Sequence, residues 1–166
     1  MEKHGPSVWQ TAYRLLGNHA DASDCFQETF ICALELSRRQ SIRSFPALLV
    51  RLATTRAIDQ LRRRLRYKKP NSEPADWANV PAKNTGPAQN AQNHELAQQL
   101  RRSLSILSQA EAQAFCLRCL NNMSYRQIAK ELEISTNAAG VLLHRAKTKL
   151  KEALTRLEGH EERVAP

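Results

Sequence analysis

Apolar residues recur at intervals of three and four from Val8 to Leu16, which predicts a first helix that stops near Gly17-Asn18. A second helix is expected from about Asp21, a natural N-cap, to Ser37. On it Asp24, Gln27, Glu28, Ile31 and Glu35 share one side, while Cys25, Phe26, Thr29, Phe30 and Ala33 turn inward. A polar face carrying one apolar residue, Ile31, fits both an ordinary solvated surface and a seat for a partner helix. A third helical stretch opens near Ser44 to Pro46, where proline suits the first turn. From Leu48 to Leu65 its apolar line is Val50, Ala57, Ile58, Leu61 and Leu65. Thr55, Asp59, Arg62 and Arg66 recur on another side, with Arg56, Gln60 and Arg63 beside them.

The pattern resumes with Leu96, Leu100, Leu104 and Leu107. Ser108 to Glu111 then has capping-box spacing for a helix through Asn121. A second box, Ser124 to Gln127, opens a short helix whose Ile128, Ala129 and Leu132 point inward. Glu133-Ile134 turns the chain, and Ser135 can cap a last helix. There Ala139, Leu143, Ala146, Leu150, Leu154 and Leu157 form the seam, and Asn137, Gly140, His144, Lys147, Thr148 and Lys151 face outward. Short helix, tight turn, longer helix is the helix-turn-helix pattern, although a plain helical hairpin would show much of the same periodicity. Strand-like alternation is scarce, so the expected fold is all-α.

Between these halves, residues 70 to 94 hold four of the seven prolines and no apolar period, which reads as a flexible linker with Trp77 and Val80 as its only large apolar residues. The expected organisation is therefore two small helical domains, 1–69 and 95–158, the linker 70–94, and a disordered tail 159–166.

Charge sharpens the picture. The 166 residues carry 25 Lys plus Arg against 16 Asp plus Glu, a net +9, and residues 1 to 69 hold 13 of the basic groups against 6 acids. Half of residues 56 to 69 are basic, with Asp59 as the only local acid. Cations so crowded repel one another and gain most beside phosphate, which makes nucleic acid the leading partner class. No run approaches the roughly 20 apolar residues that span a bilayer, and the first residues lack the apolar core of a secretion signal. A cytoplasmic protein without membrane insertion is expected.

Catalytic chemistry finds no footing. Cys116 and Cys119 have CxxC spacing but lie within a predicted helix, without a second CxxC or paired histidines, so they read as buried reduced thiols, as do Cys25 and Cys32. The five histidines are scattered, and no Gly-rich phosphate loop appears. Neither an enzyme nor a cofactor or metal is expected.

Two stretches together resemble a known family. They are Asp24-Cys-Phe-Gln-Glu-Thr-Phe30 followed by Leu48 to Arg64, and Leu107 to Leu150 with Ser124-Tyr-Arg-Gln-Ile-Ala129, Ile134-Ser135 and His144-Arg-Ala-Lys147. In this order and separation they resemble the two domains of bacterial extracytoplasmic-function (ECF) sigma factors of RNA polymerase. The resemblance implies a sigma domain 2-like bundle and a domain 4-like helix-turn-helix, with core RNA polymerase and promoter DNA as partners. It implies that Asp24, Gln27, Glu28 and Ile31 meet core polymerase. Arg38, Arg39, Arg43, Thr55, Arg56, Asp59, Arg62 and Arg63 would capture and open the −10 element, flipped bases entering a pocket while arginines hold the strand. Ser135, Thr136, Asn137, Gly140, Val141, His144, Arg145 and Lys147 would read the −35 element or its backbone. The linker would run through the polymerase channel toward the RNA exit. Control by an anti-sigma factor is a further family implication.

The chain departs from the family pattern at Leu48, where Trp is usual, at Thr55, where Asn is usual, and at Glu133, where Gly is usual. If the last position needs positive φ, a side chain there costs about 1 kcal/mol. Ala138 to Leu142 replace a stretch normally rich in Thr, Lys, Ser and Arg. With fewer side chains able to make bidentate base contacts, upstream readout should be weaker or biased toward A·T. A self-sufficient helix-turn-helix regulator that binds operator DNA as a dimer is the alternative reading, and an RNA-binding protein using Arg56 to Lys69 a more distant one.

Overall fold

The computed structural model describes residues 4–67 and 87–161, with side chains at 4–66 and 93–156. The described residues form seven helices and no strand: α1 (Gly5–Leu16), α2 (His19–Arg39), α3 (Phe45–Tyr67), α4 (Pro87–Ser105), α5 (Gln109–Cys119), α6 (Tyr125–Leu132) and α7 (Thr136–Glu161).

Local chemistry explains most boundaries. Helix α1 starts earlier than its apolar period, because Pro6 in the first turn has the φ a helix requires. It ends at Gly17, whose φ of 76° closes the last turn through a bond from its N–H to the Tyr13 carbonyl. The cap of α2 is Asn18, not Asp21: Asn18 Oδ1 accepts from the Asp21 N–H at 2.8 Å. The Asp21 carboxylate is thereby free to accept from Asn18 Nδ2 and from Arg64 of α3, at 2.7 and 2.8 Å. Both capping boxes form, Ser108 with Glu111 and Ser124 with Gln127. Helix α5 stops at Cys119, two residues before its expected end.

Two other boundaries also differ. Helix α4 begins at Pro87, inside the stretch expected to be linker, since Ala, Gln and Leu dominate from there and proline again occupies the first turn. Helix α7 reaches Glu161, three residues into the expected tail. Trp77 and Val80 lie outside the described residues.

In the first half, Val8, Phe30, Ala33, Leu49 and Ala53 join α1, α2 and α3. The second half closes around Ala114, Leu117, Ile128, Ala129, Ala139 and Leu143. The halves are not independent. One apolar cluster runs from Leu15, Leu16, Ile58 and Leu61 to Leu104, Leu107, Cys116 and Leu150, and Val50 of α3 inserts into the cluster of α5, α6 and α7. Polar bonds line the same seam: Arg101 Nε donates to the Arg14 carbonyl at 3.2 Å, and Ser7 Oγ to Asn121 Oδ1 at 3.4 Å. The guanidinium of Arg101 is held below its usual pKa by burial.

Candidate nucleic-acid interface

Helix α2 presents Asp24, Gln27, Glu28 and Ile31 together to solvent, Ile31 at 58% exposure. Its opposite side, Cys25, Thr29, Phe30 and Ala33, is buried. Leu34 belongs to the outer face too, 55% exposed and one turn beyond Ile31. The i, i+3 step from Ile31 was the available signal for it. Two adjacent bare aliphatic side chains among acids form an apolar strip with an acidic border.

Glu28 also reaches sideways. Its Oε2 lies 2.6 Å from Arg56 Nη1 on α3. Burial lowers the pKa of Arg56, but bonds to the Cys32 thiol and to Glu28 outweigh it and hold the guanidinium above its usual value. An acid of the α2 face is thus tied to a cation of α3.

The basic residues read from the sequence separate into two groups. Arg38 and Arg39 end α2, Arg43 lies in the following connection, and Arg63 lies on α3; all four are exposed. Thr55 and Arg62 instead face the second half. Thr55 Oγ1 donates to the Arg51 carbonyl at 2.9 Å and accepts from Gln113 Nε2 at 2.7 Å. Arg62 donates to the carbonyls of Ser105, at 3.2 Å, and Leu107, with Asp59 beside it at 3.4 Å. The polar repeat of α3 is thus partly an internal interface, and Leu65, expected in its apolar line, is 40% exposed.

Beside the Arg38–Ser44 connection lies a cavity of about 320 Å³, walled by Ile42, Arg43 and Leu48 on one side and by Met123, Gln127 and Lys130 on the other. Leu48 is 4% exposed and packs without a larger ring. Arg51 spans the cavity rim, its Nη1 donating to the Glu131 carbonyl at 3.2 Å and its Nε lying 3.5 Å from the Glu131 carboxylate. Burial raises the pKa of Glu131, Arg51 offsets only part of this, and Glu133 adds to it.

Helices α6 and α7 meet through a left-handed turn. Glu133 has φ 55° and caps α6 by donating to the Ala129 carbonyl, so this position does take the conformation that favours glycine. Ser135 Oγ then accepts from the Ala138 N–H at 3.1 Å and starts α7. Ser135, Thr136, Asn137, Val141, His144, Arg145 and Lys147 are all exposed, and Gly140 lies among them on the same stretch. A Cβ at Gly140 would meet only Tyr125, at 4.0 Å, so packing does not demand glycine there. The exposed face is polar and cationic, with Val141 as an apolar spot at 48% exposure.

Both cysteine pairs differ from the expected buried thiols. Cys25 and Cys116 are buried, and burial raises them to about 11 and about 12. Cys32 is half-buried beside Arg56, and Cys119 is exposed because it falls on the outer side of the last turn of α5.

A helical lobe bearing a cationic helix and an acid-bordered apolar strip, followed by a helix-turn-helix lobe, defines the class of bacterial transcription initiation factors. Residues 1–67 match the Sigma-70 region 2 family and residues 97–150 the Sigma-70, region 4 family. The chain is 30% identical over 148 residues to ECF RNA polymerase sigma factor SigF of Caulobacter vibrioides, covering 88% of this chain and 78% of that one. It is 27% identical over 158 residues to SigW of Bacillus subtilis, covering 89% and 82%. SigE of Mycolicibacterium smegmatis is 30% identical over 156 residues, 94% of this chain but 60% of that relative's length. A solved structure of the sigma factor RpoE in complex with the anti-sigma factor NepR from Bartonella quintana shares the fold, with a TM-score of 0.53 at 20% identity over 91% of each chain. The chain belongs to the ECF RNA polymerase sigma factors.

Among the described residues no helix is long and apolar enough to cross a membrane.

Proposed function

We propose that this protein is a non-catalytic promoter-specificity subunit: it binds core RNA polymerase through the outer face of α2 and directs initiation at a small promoter set. The observation that carries this reading is the spatial division of labour in one chain. Asp24, Gln27, Ile31 and Leu34 form an open strip that bears no excess of cations, while the cations lie on α3 and on the outer face of α7. A surface of this kind suits a protein partner better than it suits DNA.

In this reading Arg38, Arg39, Arg43, Arg56 and Arg63, with Thr55, Asp59 and Arg62 once accessible, hold the opened −10 strand, their charge offsetting the cost of unstacking. Ser135, Thr136, Asn137, Gly140, Val141 and His144 approach the −35 element, and Arg145 and Lys147 its phosphates. The replacement of long polar side chains by Ala138, Ala139, Val141 and Leu142 leaves readout to thymine methyl contacts and to close backbone approach at Gly140, which favours A·T. An anti-sigma factor of the kind seen with RpoE is a further partner in this reading.

The test is fluorescence titration of the full-length protein onto bacterial core polymerase, with transcription from a fork-junction promoter library. Core-dependent selective initiation is expected, and Asp24→Ala with Gln27→Ala should weaken core binding about tenfold or more, as loss of two interface groups does. No association with core, beside tight binding of the free protein to a two-fold operator duplex, would replace this reading with a stand-alone regulator.

A further inference from the structure

The cavity beside the Arg38–Ser44 connection has a lining that neither the α2 strip nor the outer face of α7 accounts for. Its volume of about 320 Å³ falls at the lower end of the roughly 300–1,000 Å³ of small-molecule sites. Ile42, Ala47, Leu48 and Met123 give it an apolar floor. Ala47 and Leu48 are buried, and Ile42 and Met123 are half-buried. Leu48 and Glu133, two of the positions at which the sequence departs from the family pattern, both line it. A larger ring at position 48 would occupy part of the space, so the recess is a feature of this chain in particular.

The charges around this floor are unequal. Three cations, Arg43, Arg51 and Lys130, stand against two acids, Glu131 and Glu133. Arg51 and Glu131 spend their charge on each other at 3.5 Å. Arg43 on one wall and Lys130 on the other are exposed, and neither has a hydrogen-bond or ion-pair partner among the described residues. Glu133 alone opposes them, from the exposed rim. Two unspent cations flanking an apolar floor select an anion with an apolar body: the body gains by leaving water, and the charge gains charge-assisted bonds at the rim. An aromatic body suits the lining best, because a methionine thioether and an arginine guanidinium both favour contact with rings. The geometry points to a binding site for a small aromatic carboxylate, its ring over Leu48 and Met123 and its carboxylate between Arg43 and Lys130. This site stands independently of the sigma-factor reading.

Titration of the full-length protein with 2-naphthoate, followed through its backbone amide signals by NMR, tests the site. Signals of residues 40–44 and 127–133, which bound the cavity, should shift together and saturate. A Kd of about 0.1–1 mM is expected, the affinity open to a probe of this size. The amine 2-naphthylmethylamine carries the same ring with the opposite charge and should bind about tenfold more weakly or worse. Leu48→Trp fills the floor with a ring of its own and should abolish the saturable shifts. Lys130→Ala, at an exposed position, should weaken 2-naphthoate about two- to tenfold, the worth of one hydrogen bond. Shifts confined to other residues, equal binding of the amine, or affinity unchanged by both substitutions would overturn the site. Should Leu48→Trp disturb folding, the Lys130→Ala and amine titrations decide by themselves.

Discussion

Glu28 and Arg56 hold each other at 2.6 Å between α2 and α3, so one carboxylate belongs both to the strip assigned to polymerase and to the neighbourhood of the basic helix. The pair is well solvated, with side-chain exposures of 59% and 35%, and screening keeps its contribution to folding below about 1 kcal/mol. Glu28→Gln should leave the melting temperature nearly unchanged while lowering core affinity and freeing Arg56 for phosphate. In a double-mutant cycle with Arg56→Ala, coupling should appear in open-complex formation, monitored by permanganate reactivity of unpaired thymines. Purely additive effects there would separate the two residues' roles.

Arg62 and Arg63 are neighbours in sequence with opposite expectations. Arg62 is partly buried and donates to two backbone carbonyls of the second half, whereas Arg63 points to solvent. Arg62→Ala should cost about 1–3 kcal/mol in urea unfolding, since it strands acceptors at the seam. Arg63→Ala should change stability by less than about 0.5 kcal/mol and reduce the salt slope of DNA binding by about one phosphate contact. Equal stability losses in the two variants would contradict the assignment.

Glu133 occupies a left-handed backbone position without the freedom of glycine. Glu133→Gly should raise stability by about 1 kcal/mol, the steric cost of a side chain at positive φ being larger than the entropy that glycine loses here. It also removes a like charge near Glu131, whose pKa should then fall toward the ordinary carboxylate range. Thermal unfolding and carboxylate titration by NMR would read the two effects separately.

Glu111 supplies the acid limb of the stability profile. Burial alone would raise its pKa, but Lys149, at 2.8 Å, and the N–H and hydroxyl of Ser108 outweigh burial and hold it below the usual value. A carboxyl whose folded pKa is depressed adds stability above its unfolded pKa of about 4.3 and loses it as pH falls through the folded value. Unfolding free energy should therefore drop as the solution is acidified below about pH 4.3. In Glu111→Gln that drop should be shallower and the plateau at neutral pH lower. An unchanged acid limb would show that other carboxylates dominate it.

Most of the helical architecture was legible because its signals are local. The two capping boxes and the exposed sides of α2 and α7 follow from spacing within one or two turns, whereas positive φ at Glu133 was suggested only by the family resemblance, in which Gly is usual there. Either side chain can cap a helix, so local spacing left the choice open; Asn18 caps, and the Asp21 carboxylate instead meets Arg64, 43 residues away. The masking of Thr55 and Arg62 escaped for the same reason: a polar side chain looks alike in periodicity whether it faces water or another lobe. One hint was available. Ala47, Leu48, Leu49 and Val50 are apolar in succession and all buried, so this end of α3 is apolar all round, as a helix covered on every side must be.

Val50 finally bears on how such proteins can be recombined. It is a first-half residue that completes the second half's interior, so the boundary drawn by covalent order is not the boundary of cohesion. A chimera that grafts the helix-turn-helix half of a relative onto residues 1–67 inherits a lid shaped for a different cavity wall. Such hybrids would need position 50 re-matched to residues 117, 128 and 143 as one unit, even though the exchanged segment begins far downstream of it.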